Sequence, residues 1–150
     1  MRDVVALWYV GQSTPADIVY AACDLLAAGL DGPSLRELAA VSIGSADFEV
    51  PDLLEPSLHD VGLTYHPKGS EAAKLASLIV MVKRTLSNVV TPRDLVRWAY
   101  ATFGYESFEL ATRLADFDDD YENLVSFGRT REEVDAKVMA EVRWIATQLT

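Results

Sequence analysis

The sequence is poor in the residues that most often mark an active centre. It has one cysteine, Cys23, and two histidines among 150 residues. A single cysteine excludes an intramolecular disulfide and a cysteine metal cluster, and it favours a reducing compartment such as the cytoplasm. We expect Cys23 to be buried, because it follows an apolar helical pattern beside Ala22 and Leu26.

The two histidines do not complete a recognisable catalytic set. His59 and Asp60 have the letters of a metal phosphohydrolase dyad, but the other histidine, His66, lies in the loop that follows. A histidine-rich metal site would need further ligands. A serine or cysteine triad and a glycine-rich phosphate loop also find no support in the sequence. We therefore expect no cofactor and no metal. A protein without enzymatic activity is favoured over an enzyme.

Long apolar runs are missing as well. The strongest run, residues 75–82, lies between Lys74 and Lys83 and is much shorter than a membrane span. The apolar run near the amino terminus carries Asp3 at its head and stops at Gly11 without a cleavage-site pattern. The sequence therefore predicts neither a membrane span nor a signal peptide.

Basic residues are scarce, and the formal net charge is -10. Within residues 1–67 the only basic residues are Arg2 and Arg36, against ten acids. Such a surface repels nucleic-acid phosphates and anionic lipid, so we expect neither as a partner. A basic protein is the natural complement, and the alternative explanation of the charge is solubility alone.

Helical periodicity and helix-start signals dominate what remains. We predict an all-α fold, a single compact domain over residues 1–150 with about six to seven helices. The segment 70–87 is apolar nearly all round and is predicted to be the central core helix. Residues 3–10 fit either a helix or a strand, and a helix is favoured. Pro51 is expected to start a helix, and Pro56 to kink it or divide it into two short turns.

One helix start occurs twice. Residues 14–22 and 91–99 align without a gap, and both begin Thr-Pro-x-Asp. In this pattern the threonine hydroxyl caps the helix, proline occupies the first turn, and the aspartate complements the helix dipole. The pattern suggests an internal repeat of a helical hairpin, 14–40 and 91–116. The alternative is that this cap signature simply recurs.

A dense acid cluster follows the second copy. Its members are Asp116, Asp118, Asp119, Asp120 and Glu122. The alternating aspartates resemble a calcium loop, but Tyr121 stands where that loop needs glycine and Phe127 where it needs glutamate. The cluster also resembles the aspartate-rich motif of helical terpenoid synthases, although the chain is too short for that fold and has no second motif. A solvated, partner-facing acid patch is the favoured interpretation.

The segments at residues 14–18, 25–31, 35–39 and 91–99 together resemble small uncharacterised actinobacterial helical proteins. Some similar proteins resemble immunity proteins of bacterial toxin systems. The resemblance implies an all-helical fold and an immunity-like role, and it assigns no functional residue.

Three functions are compatible with these patterns. The favoured one is a cytoplasmic, acidic protein-protein interaction module that binds a basic partner through residues 116–122, with Asp47, Glu49 and Asp52 as further contacts. The first alternative is a helical divalent-metal enzyme that uses the same carboxylates. The second is a structural module that oligomerises. Trp144, which lies off the apolar stripe of the last helix, either anchors an interface or closes the edge of the core.

Overall fold

A computed structural model describes residues 1–105 and 108–149. Over these residues it contains nine α-helices and a 3₁₀ turn at Ile43–Ser45, and no strand. The helices are α1 (Arg2–Trp8), α2 (Pro15–Ala27), α3 (Pro33–Ala40), α4 (Ala46–Asp60), α5 (Glu71–Leu86), α6 (Pro92–Phe103), α7 (Glu109–Ala115), α8 (Phe117–Glu122) and α9 (Arg131–Gln148). The all-α prediction is confirmed, and the short helices α1, α7 and α8 account for the larger number.

The chain divides into two compact units, Met1–Ser77 and Leu78–Thr150. The boundary falls inside α5, and each unit holds one copy of the predicted hairpin repeat. The organisation as a single domain stays a prediction.

In the first unit, α2, α3 and α4 pack against one another and α1 packs against α2. Their inward-facing side chains form one apolar cluster, which includes Val5, Ile18, Val19, Leu35, Leu38, Val50, Leu54 and Leu58. These side chains are almost completely removed from solvent. Burial of this apolar surface is the main term that stabilises the unit.

The amino terminus of α3 is capped by a residue from the end of α4. Asp60 Oδ2 accepts hydrogen bonds from the backbone N–H groups of Ser34 at 2.8 Å and Leu35 at 3.0 Å. Gly32 makes this approach feasible, since a Cβ added there would lie 2.5 Å from Asp60 atoms. Asp60 therefore has a structural role as the cap that Gly32 cannot supply. His59, its predicted dyad partner, is exposed in the last turn of α4.

Helix α4 corrects two predictions about its prolines. It begins at Ala46, ahead of Pro51, and it continues through Pro56 as one helix and not as two short turns, while the alternative of a kink at Pro56 stays a prediction. Both prolines lie on the exposed side, where water can bond the carbonyl groups that lose their intrahelical donors. Two apolar residues of α4, Phe48 and Val50, lie ahead of Pro51. Only Val50 is buried, whereas Phe48 is 82% exposed.

In the second unit, α6 packs against α7, α8 and α9, and α9 also contacts α7 and α8. Four residues of the apolar stripe of α9, Val134, Val138, Val142 and Ile145, are fully buried, whereas Leu149, at the C-cap, is only half-buried. A capping box begins α9: Thr130 Oγ1 accepts the Glu133 N–H at 3.3 Å, and Glu133 Oε2 accepts the Thr130 N–H at 2.8 Å.

The two Thr-Pro-x-Asp segments have matching cap geometry. Thr14 Oγ1 accepts the Asp17 N–H at 3.3 Å, and Thr91 Oγ1 accepts the Asp94 N–H at 3.1 Å. Each cap begins a helix that packs against its successor, α2 against α3 and α6 against α7. The caps are confirmed, and a shared origin for the two hairpins stays a prediction.

Helix α5 begins as predicted, because Ser70 Oγ accepts the Ala73 N–H at 3.2 Å. Within it Ser77, Leu78, Val80, Met81 and Val82 are buried. Its central position in one core stays a prediction.

Two smaller points concern the first unit. Residues 3–10 were open between helix and strand, and the structure places most of them in α1. Cys23 is exposed and not buried, because it lies one residue beyond Ala22 and so about 100° around α2 from the buried side.

Among the described residues, no helix combines the length and apolar character that a membrane crossing needs.

Candidate protein interaction site

The acid cluster lies on a helix that continues directly from α7. Leu114 and Ala115 bury the end of α7, and Asp116 has helical dihedral angles that lead straight into α8. Residues on a helix are about 100° apart, so Asp116, Asp118 and Asp120 cannot all point to one centre. In the part of the chain that the structure describes, no group of three or more His, Cys, Asp or Glu side chains is arranged to hold a metal ion.

Tyr121 fastens this helix to its neighbours. Its ring is buried, and its hydroxyl donates a hydrogen bond to Asp135 Oδ1 on α9. Burial raises the pKa of Tyr121 far above its usual value, and the hydrogen bond and charge of Asp135 raise it further. On the α6 side, the Arg93 guanidinium lies 5.9 Å from the centre of the Tyr121 ring. The buried tyrosine thus fixes which carboxylates of α8 face outward.

Two of the five predicted site residues are paired with arginines. Asp120 forms an ion pair with Arg129, and Glu122 lies 3.5 Å from a guanidinium nitrogen of Arg93. These carboxylates help to tie α8 to the loop after it and to α6. Their charge is partly neutralised within the chain itself.

The other three carboxylates, Asp116, Asp118 and Asp119, form no ion pair among the described residues. All three lie close enough to Tyr105 to act on its hydroxyl. The pKa of Tyr105 is raised first by loss of hydration and then by Asp119, with smaller effects from Tyr100, Asp118 and Asp116. The negative charges of Asp116, Asp118 and Asp119 therefore all act on one tyrosine, although the three side chains do not share one face of the helix.

Tyr105 belongs to an exposed aromatic pair. Its ring centre lies 5.1 Å from that of Tyr100, in an edge-to-face arrangement. Tyr100 is 42% exposed and Tyr105 is 45% exposed. We call the set Tyr100, Tyr105, Asp116, Asp118 and Asp119 the Tyr-Asp patch.

The sequence analysis missed both tyrosines of the patch. A signal was present, since Tyr100 directly follows the buried Ala99 and so falls outside the apolar stripe of α6. Tyr105 follows Gly104, whose positive φ of 61° ends the helix and turns the chain. An aromatic residue off the buried stripe and another just past the helix end were the pattern to find.

An open depression of about 330 Å³ adjoins the patch. Arg113 and Asp116 line it from the α7 side, and Glu141 lines it from α9. Arg113 pairs with Glu141, and its guanidinium lies 4.2 Å from the centre of the Trp144 ring. Trp144 is 40% exposed and is covered on one side by this arginine, and whether it anchors an interface or closes the edge of the core stays a prediction.

The further acids named from the sequence lie elsewhere. Asp47, Glu49 and Asp52 are exposed on α4 in the first unit, beside the exposed Phe48. The Tyr-Asp patch belongs entirely to the second unit. Asp47, Glu49 and Asp52 therefore belong to a different unit from the acids of the Tyr-Asp patch.

No protein-family model, curated protein sequence or solved structure matches this chain. The resemblance to small actinobacterial helical proteins and to immunity proteins stays a prediction.

Proposed function

We propose that this protein is an acidic protein-protein interaction module of the immunity or adaptor kind, and that it binds a basic segment of a partner through the Tyr-Asp patch. The observation that carries the proposal is that three carboxylates without ion pairs among the described residues act electrostatically on Tyr105, which forms an exposed aromatic pair with Tyr100. A cytoplasmic location belongs to the same proposal.

The two parts of the patch suit the two parts of an arginine or lysine side chain. Carboxylates form short, charge-assisted hydrogen bonds with guanidinium and ammonium groups. Tyrosine rings attract the same cations through their π faces and cover their aliphatic stems. Tyrosine is also enriched among the residues that dominate binding energies at interfaces. The Tyr-Asp patch therefore offers both charge and contact area to a basic segment.

The arginine pairs narrow the site that the sequence suggested. Asp120 and Glu122 already have cationic partners within the chain, so an incoming cation gains less from them. Asp116, Asp118 and Asp119 have no such pair among the described residues, and their mutual repulsion is relieved when a cation binds. We therefore expect Asp116, Asp118 and Asp119 to contribute most of the binding energy.

A titration with a defined peptide tests this assignment. The probe is a short arginine-rich peptide with a fluorescent label, and binding is followed by anisotropy at low salt. Replacing Asp116, Asp118 and Asp119 together with asparagine removes the unpaired charge of the patch. We expect the peptide affinity to fall by about tenfold or more, since charged pairs at an interface each contribute on the order of 1 kcal/mol or more.

A matched control has the same change of net charge at the other acid group. The triple variant D47N/E49Q/D52N should reduce the peptide affinity by less than about threefold, because none of these three residues belongs to the Tyr-Asp patch. An equal loss in both variants would show that net charge alone attracts the peptide. An unchanged affinity in the patch variant would contradict the proposed site.

The metal-enzyme and the oligomerising alternatives differ in how the described residues bear on them. Carboxylates that point away from a common centre give the metal-enzyme alternative no support from the described residues. The oligomerising module stays a prediction, and a monomeric mass by light scattering would contradict it.

A further inference from the structure

The first unit contains a small cavity that the proposed interaction does not use. Its volume is about 250 Å³. Helix α1 forms one side, and the end of α4 and residues 62–66 form the other, with Ala76 of α5 completing the wall. Every one of these residues belongs to the first unit.

The polar residues that line this cavity are Arg2, Tyr9, Thr64 and His66, and no acid is among its described lining residues. This is the reverse of the unit around it, which has eleven Asp and Glu against four Lys and Arg. Arg2 forms no ion pair within the described part of the chain. The cavity is therefore a site of positive charge and hydrogen-bond donors in an acidic unit.

Tyr9 places a hydrogen-bond donor in the wall. Its side chain is buried, and its hydroxyl oxygen accepts the backbone N–H of His66 at 3.0 Å. The hydroxyl proton has no acceptor among the described residues, so it is available to an acceptor in the cavity. A phenol keeps its proton at neutral pH, and burial raises the pKa of Tyr9 further above its ordinary value.

The rest of the wall is apolar and fixes the size of the ligand. Val5, Ala6, Leu58 and Leu63 supply it. A dry apolar cavity of roughly 150 Å³ can hold benzene, whereas pockets for drug-sized ligands begin at about 300 Å³. The space here accordingly suits one ring, or a short branched chain, that carries one small polar group.

We propose that this cavity binds a small organic monocarboxylate, whose apolar body lies against Val5 and Leu58 and whose carboxylate is held by Arg2 and the Tyr9 hydroxyl. Donors without a competing acid select an anion, and a two-oxygen acceptor can bond the guanidinium and the phenol together. The site is independent of the Tyr-Asp patch.

The test compares benzoate with benzamide, which has nearly the same shape and no charge. Each is titrated to about 10 mM into the full chain at low salt, and binding is followed by NMR chemical shifts of the backbone amides. We expect benzoate to shift the amides of α1 and of residues 62–66, and to bind about tenfold or more tightly than benzamide. Equal binding of the two, or no binding of benzoate, would overturn the proposal.

A pair of variants isolates the arginine. Arg2→Gln should weaken benzoate about tenfold and leave benzamide unchanged, because it removes a charge-assisted hydrogen bond. Arg36→Gln makes the same change of charge at an exposed residue paired with Asp31, outside the cavity lining, and should leave both affinities unchanged. Both residues are exposed, so circular dichroism should show both variants folded. Unchanged benzoate binding in R2Q would contradict the assigned role of Arg2.

Discussion

The hydroxyl of Tyr121 shows how a single polar atom orders the interaction surface. The ring of Tyr121 is buried in the second unit, and its hydroxyl donates a hydrogen bond to the carboxylate of Asp135 on α9. A buried hydroxyl without such a partner would be costly, so the pair favours one orientation of α8. That orientation leaves Asp119 exposed and Asp118 partly exposed, and neither forms an ion pair in the described structure.

Tyr121→Phe should lower the free energy of unfolding by about 1–2 kcal/mol at pH 7, because it removes a hydrogen bond to a charged group. Urea unfolding of the variant and the parent measures the difference. Tyr20→Phe, at an exposed tyrosine, is the control and should change stability by less than about 0.5 kcal/mol.

The raised pKa of Tyr121 adds a dependence on pH. The folded protein keeps the phenol proton at a pH where the unfolded chain, with an ordinary pKa of about 10, has lost it. The stabilisation is therefore complete below about pH 10 and is lost as the pH rises above that value. Urea unfolding between pH 8 and about pH 11 should show a steeper loss for the parent than for Y121F. Parallel curves would contradict this role of the hydroxyl.

At the residue scale, the sequence located the acids but not their different environments. The spacing of Asp116 to Glu122 could not reveal that Arg93 and Arg129 neutralise two of them, because both pairings depend on tertiary packing. Tyr100 and Tyr105 were missed because sequence alone does not show that two aromatic side chains near a helix end pack against each other and stay exposed. The cap threonines were predicted correctly, since a cap depends on residues only three positions apart.

At the scale of elements, α3 and α4 are joined by polar contacts as well as by their apolar faces. Asp60 caps α3 from the end of α4, and Ser57 on the same helix donates a hydrogen bond to the carbonyl of Ser34 at 2.9 Å. The α3 start has no capping side chain of its own, because Gly32 stands at the N-cap. The first unit therefore relies on a long-range cap that no local sequence pattern reveals.

Asp60→Ala should lower the free energy of unfolding by about 1–2 kcal/mol, since it leaves the first N–H groups of α3 without their carboxylate acceptor. Asp52→Ala, at an exposed position of the same helix, should change it by less than about 0.5 kcal/mol. Chemical denaturation of the two variants makes the comparison. Equal effects would mean that Asp60 acts only through its charge.

Helix α4 also shows why the type of a secondary-structure element was predicted better than its first and last residues. Steric rules predict a cost for a proline inside a helix, as was expected for Pro56; Pro51, which was expected to start a helix, lies inside α4 as well. Burial of Val50, Leu54 and Leu58 on one side offsets that cost, and the prolines remain on the solvent side. Tertiary packing thus overrides a local preference, which a sequence alone does not show.

At the scale of the whole molecule, the more acidic of the two units is not the unit that contains the proposed binding site. The first unit has eleven acids against four basic residues, whereas the second, which carries the Tyr-Asp patch, has twelve against nine. Overall charge can raise the rate at which a basic partner arrives, but it does not choose the surface that binds. The proposed selectivity therefore depends on the local grouping of carboxylates and tyrosines in the second unit.

The all-helical class was predictable because composition, caps and apolar periodicity agree over most of the chain. The division into Met1–Ser77 and Leu78–Thr150 was not, because the boundary lies inside α5, where the helical pattern continues unbroken. A domain boundary is normally read from a linker, and a helix that passes through the boundary gives no such signal.

The most direct test of the central claim is to map where a basic peptide binds. An arginine-rich peptide is titrated into the ¹⁵N-labelled protein at low salt, and the amide shifts are followed residue by residue. We expect the largest shifts at Tyr100, Tyr105, Asp116, Asp118 and Asp119, with their loss as salt rises and screens the charges. Largest shifts on α4 around residues 47–52, or shifts spread evenly over acidic surface, would contradict the assignment of binding to the Tyr-Asp patch.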